Sequence, residues 1–141
     1  SHDEFNVHAG LKIPNINNSS TKILEKGAFA IEPFATLSTA NGLVYDGSGS
    51  NIYHITQNTI QVRDNTAREV LSWIIENKQT LPFSQRELEK IFGTKALLAI
   101  SHLKRAGAIN EYAQLIEKSH SPVSQAETSL IVHKGVVEIL A

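Results

Sequence analysis

Apolar residues recur along this chain with two different periods, and the period changes twice. From residue 3 to 64, short apolar runs alternate with polar clusters and with Gly, Pro, Asn and Ser, the pattern of strands joined by turns. EFNVHAG is a short alternating run ending at Gly10; LKIPNI follows, and NNSST marks a turn. LEKGAFAIEPF reads as a turn and then a strand, punctuated by Gly27 and broken by Pro33. Two short strands are expected at Leu43-Val44-Tyr45 and at IYHI (52–55), with DGSGSN as loop between them. TIQVRDN reads as a strand that ends before a helix.

The spacing becomes 3 and 4 from residue 65 onward. Ala67, Val70, Leu71, Ile74 and Ile75 line one helix, with Asn65 or Thr66 as its N-cap. A second helix is expected over FSQRELEKIFG, where Ser84 caps, Glu87 completes a capping box and Gly93 stops it. In TKALLAISHLKRAG, Leu97, Ile100, Leu103 and also Leu98 are expected on the core face, with Gly107 just past the end. Trp73 is expected to pack against this third helix or a following hairpin. AINEYAQLIEK fits helix or strand, and the segment after it reads as two strands around His133-Lys134-Gly135. Helices therefore interrupt a sheet. Three helices and a hairpin are also the order of a winged-helix module.

Composition changes this picture little. The 141 residues are 41% hydrophobic and 19% charged, with formal net charge −1, so bulk charge does not suggest a polyanion-binding protein. Arg68, Arg86, Lys90, Lys95, Lys104 and Arg105 in the helical block are interspersed with Glu69, Glu76, Glu87 and Glu89, as on a solvated face. No apolar run approaches the ~20 residues of a membrane span. No signal-peptide pattern occurs, and the expected location is cytoplasmic. The absence of cysteine excludes disulfides and thiolate metal sites. The absence of methionine, with Ser1-His2 at the start, reads as a fragment or processed product whose first two residues are a tag remnant.

Candidate chemistry begins with two carboxylates. Glu32 interrupts GAFAIEPFAT, and Glu127 enters the apolar strand of SQAETSLIV. An unpaired charge in a buried strand is costly, so each is expected to be paired, metal-bound or turned outward. Strand alternation allows Glu32 to share an outer face with Ala30 and Phe34. Two convergent strand carboxylates suit a hard or borderline divalent ion. His8, before Ala9-Gly10, is a candidate polar site residue, against an exposed or hydrogen-bonded histidine without function. His54, His102, His120 and His133 show no ligand spacing, and no phosphate loop or nucleophile elbow is present.

Five motifs, in order, carry a resemblance: HAGLKIPNI (8–16), GAFAIEPFAT (27–36), TLPFSQREL (80–88), LKRAGAINEY (103–112) and SQAETSLIV (124–132). Together they resemble the C-terminal half of the type II methionine aminopeptidases, of the archaeal kind, from about residue 3 onward. The resemblance implies an α+β pita-bread sheet over 3–57 and 121–141, with a winged-helix-like insertion over 58–120. It implies removal of the initiator methionine from nascent chains by two divalent ions (Co, Mn, Fe or Zn). These are held by two aspartates, a histidine and two glutamates. Glu32 and Glu127 match the two glutamates. His8 matches a histidine at the substrate, and Tyr112 and Ile52 match methionine-pocket positions. Both aspartates and the metal histidine fall outside this chain. The isolated chain is therefore expected to hold no metal tightly and to be silent without an N-terminal half. Ala126 and Thr128 depart from the family, which has an aromatic residue and a histidine there. The alternatives are a non-catalytic pita-bread relative that binds protein or RNA, and a winged-helix nucleic-acid binder.

Overall fold

The computed structural model describes residues 25–56 and 61–140, together with Ser19, Thr21 and Ile23. Among these, eight strands and three helices run in the order β1 (Gly27–Ile31), β2 (Phe34–Thr36), β3 (Val44–Ile55), α1 (Asn65–Asn77), β4 (Phe83–Ser84), α2 (Gln85–Phe92), α3 (Lys95–Ala106), β5 (Ile109–Glu117), β6 (Val123–Gln125), β7 (Thr128–His133) and β8 (Val136–Ile139). The chain divides into two compact units, Ser1–Tyr45 with Ile116–Ala141, and Asp46–Leu115.

In the first unit β1 pairs antiparallel with β7, β7 with β8, and β2 with β6. The β7–β8 hairpin closes His133 on Val136 through Lys134 and Gly135, both at positive φ. That two-residue loop suits the right-handed twist of paired strands. Phe29, Leu130 and Val132 form the small buried cluster of this unit.

The second unit holds the larger core. α1 buries Ala67, Val70, Leu71 and Ile74 of the stripe that the spacing predicts, and Ile75 is only partly buried. Its cap is Asp64, not Asn65 or Thr66: the carboxylate accepts from Ala67 N–H at 2.8 Å. α2 starts as expected, Ser84 Oγ accepting from Glu87 N–H at 3.2 Å, and ends at Gly93. α3 ends at Gly107 in the left-handed conformation and buries Ala96, Ala99, Ile100 and Leu103. Leu97 and Leu98 do not join them; both are exposed. The Trp73 ring stands edge-on to Phe92 of α2, centroids 6.3 Å apart, and packs against the core cluster to which α3 contributes Ala96, Ala99, Ile100 and Leu103.

Two strand expectations change. DGSGSN is no loop: β3 runs unbroken for 12 residues, between β4 and β5. Glu111 of β5 explains how, since its carboxylate lies against Gly49, where any Cβ would collide with it. The same carboxylate accepts from Asn51 N–H at 2.9 Å, holding the backbone where Asn51 takes φ 61°. Gln61–Arg63, expected in a strand, are outside one. β5 settles the ambiguous AINEYAQLIEK as a strand whose partner is β3, before the helices, rather than a neighbour in sequence. No helix among the described residues is long and apolar enough to cross a membrane.

Candidate functional site

The positions of Glu32 and Glu127 follow from strand register. Ile31 pairs with Thr128 at the end of β1–β7, and Phe34 pairs with Gln125 in β2–β6. The register is the same on both sides of the gap, so Glu32 stands directly opposite Glu127, and Pro33 opposite Ala126. Ala126 N–H donates to the Pro33 carbonyl at 3.2 Å, which carries the pairing across the gap. Pro33 has no N–H to return, so the regular ladder is interrupted there. In antiparallel pairing the residues next to a hydrogen-bonded pair form a close pair, with Cα atoms about 4.5 Å apart. Glu32 and Glu127 occupy such a pair.

Alternation sets their face. Phe29 and Leu130, opposed in β1–β7, belong to the buried cluster. Glu32 and Glu127 are an odd number of residues away from them, on the opposite face, with Ala30 and Ser129. Both carboxylates are exposed. Both carboxylates are thus turned outward, one of the expected arrangements, and the flanking Ile31 and Phe34 are themselves exposed.

Ile52 and Tyr112 lie in the second unit. Ile52 and His54 share one face of β3, opposite the buried Tyr53, and the His54 ring stands 4.9 Å from the Tyr112 ring. His54 Nδ1 lies 3.2 Å from the Ile55 carbonyl, to which its N–H donates when protonated there. His54 was not singled out from sequence, because ligand spacing does not detect a ring contact between strands. His8 lies outside the described residues.

Two further carboxylates had no sequence signal. Glu111 binds Lys104, accepts from Asn51 N–H and takes the Tyr53 hydroxyl bond; the Lys104 hydrogen bond is the largest cause of its lowered pKa. Burial, and then Glu111, push the Tyr53 hydroxyl up. Glu117 is almost fully buried and accepts from Ser119 Oγ (2.5 Å), Ser119 N–H (2.7 Å), Gly42 N–H (2.9 Å) and Ser121 N–H (3.2 Å). Led by the Ser119 hydroxyl, these donors hold its pKa at about 2.

A divalent ion needs more donors than two carboxylates. Glu32 and Glu127 fit the carboxylate part of such a centre by charge, chemistry and opposition. Among the described residues, no group of three His, Asp or Glu side chains completes it.

The fold matches a known class. A thermophilic Arx1 structure superposes on 79% of this chain and 29% of its own with TM-score 0.64 at 23% identity, placing the mixed α/β architecture among the pita-bread folds. The sequence narrows this further. The chain is 41% identical to the methionine aminopeptidase of Methanothermobacter thermautotrophicus over 136 residues, 95% of this chain and 44% of that one. It is 32% identical to methionine aminopeptidase 2 of Schizophyllum commune over 142 residues, 99% of this chain and 33% of that one. With methionine aminopeptidase 2 of Podospora anserina it shares 31% over 140 residues, 97% and 31%. No family model matches. The chain is thus similar to a C-terminal portion of the type II methionine aminopeptidases, and spans about a third of the length of the first curated relatives it matches.

Proposed function

We propose that this chain supplies part of the catalytic domain of a metal-dependent aminopeptidase that removes the N-terminal methionine of nascent proteins in the cytoplasm. The observation that carries the reading is the opposition of Glu32 and Glu127 across one continuous antiparallel register. Like charges directly opposed on a strand pair destabilise it, by up to about 1 kcal/mol. A divalent cation bound by both carboxylates turns that cost into attraction.

When bound, two divalent ions (Co, Mn, Fe or Zn) supply Lewis-acid polarisation of the scissile carbonyl. The chain's own residues hold and orient. Glu32 and Glu127 are two of five ligands, and on this reading two aspartates and a histidine come from a segment outside these 141 residues. On this reading His8 acts at the substrate and not as a metal ligand. Ile52 and Tyr112 give the methionine side chain an apolar surface, and the helical unit is a winged-helix-like insertion. The isolated chain then releases no methionine from a Met-Ala-Ser peptide, and a matching N-terminal half restores release.

The deciding experiment uses the intact enzyme, wild type and Glu127→Gln, with added Mn²⁺ or Co²⁺. Glutamine keeps the shape and removes the charge, so kcat for methionine release should fall by at least ~10³. Unchanged turnover in the variant, with wild type active, would show that Glu127 is not a metal ligand. A second reading, a non-catalytic relative that binds protein or RNA, is favoured by Ala126 and Thr128 beside Glu127. It expects no methionine release from the wild type, and a neutral or stabilising Glu127→Gln.

A further inference from the structure

Leu97 and Leu98 read as core residues in the sequence, yet they are 47% and 60% exposed. α3 buries its other apolar positions, Ala96, Ala99, Ile100 and Leu103. At about 100° per residue, Leu97, Leu98, Ser101, Lys104 and Arg105 share the opposite arc of the helix. α3 is thus apolar on two sides, and only one side has the core to explain it.

The outer arc is also of one charge. The arc carries Lys104 and Arg105 and no Asp or Glu, and Lys95 lies outside it at the start of α3. Lys104 is held by Glu111, whereas among the described residues no salt bridge engages Lys95 or Arg105. Beside the arc lies an open hollow of about 500 Å³ lined by Tyr53, Leu97, Ile100, Ser101, Lys104 and Arg105. Its lining therefore mixes apolar side chains with two cations.

We propose that this face of α3 docks an acidic segment of a protein partner, one that presents large apolar side chains flanked by Asp or Glu. Charge complementarity selects the occupant. An acidic peptide meets Arg105 while its apolar side chains cover Leu97 and Leu98 and enter the hollow. A second copy of the chain would set like cations against each other. A nucleic acid would leave the two leucines against phosphate. The proposal does not depend on the metal-site reading, since it concerns only the Asp46–Leu115 unit.

The test is fluorescence anisotropy with the intact protein that contains this chain and a labelled 12-residue peptide with leucines at i and i+4 among glutamates. Controls are the same peptide with serines for leucines, the peptide with lysines for glutamates, and a single-stranded 12-mer oligonucleotide. The acidic leucine peptide should bind and both altered peptides should not. Leu97→Ser with Leu98→Ser should weaken binding about tenfold or more, as expected when two leucines lose contact. Arg105→Glu should weaken it several-fold and flatten its salt dependence. Both sites are exposed, and matched melting curves check that the variants fold. Equal binding by wild type and both variants would overturn the proposal. So would tighter binding of the oligonucleotide that ignores the leucine substitutions, or self-association of the chain abolished by them.

Discussion

Glu117 shows how one residue can be placed by hydrogen bonds that no sequence pattern announces. It ends β5, where strand alternation gives no reason for a buried charge, and donors from Gly42, Ser119 and Ser121 surround it. Its carboxyl is lowered from an ordinary 4.5 to about 2. A lowered folded-state pKa means that the carboxylate's contribution is complete above pH 4.5 and is lost as the pH falls towards 2. The melting temperature should therefore drop over that window. In Glu117→Gln it should start lower at neutral pH and fall less steeply on acidification. Parallel curves for the two proteins would remove Glu117 from the acid response.

Elements were legible where period and caps agreed. The spacing in α1, the capping box at Ser84 and the stop glycines at 93 and 107 all predict the observed helices. Faces were less legible. In α3 the apolar residues outnumber what one face can bury, and the buried set includes two alanines in place of Leu97 and Leu98. Small residues let α3 approach its neighbours closely, which sequence spacing alone cannot weigh against size. Leu103 is fully buried in this core. Leu103→Ala should cost roughly 2–5 kcal/mol in denaturant melts, as loss of a buried leucine does. A change below about 0.5 kcal/mol would be that of a surface site and would contradict the packing of α3.

At the scale of the whole molecule, the 141 residues supply two opposed carboxylates, and no third His, Asp or Glu joins them among the described residues. Titration of the chain with Mn²⁺ in a calorimeter should show binding no tighter than about millimolar, because two carboxylates coordinate only part of an ion's shell. A micromolar site lost in Glu32→Ala would mean that these residues complete a centre by themselves.

The sequence by itself determined the helices, the hairpin around Lys134-Gly135 and the resemblance to a family, because local period, turn chemistry and motif order are written in consecutive residues. It also marked Glu32 and Glu127 as carboxylates out of place. Only the tertiary structure decided that they face each other, since pairing between residues 95 apart in sequence depends on register across two strand ladders. It also decided that DGSGSN is strand. A glycine-rich polar stretch has little strand preference of its own, and here a partner's carboxylate, Glu111, occupies the space that Gly49 leaves and bonds the Asn51 amide.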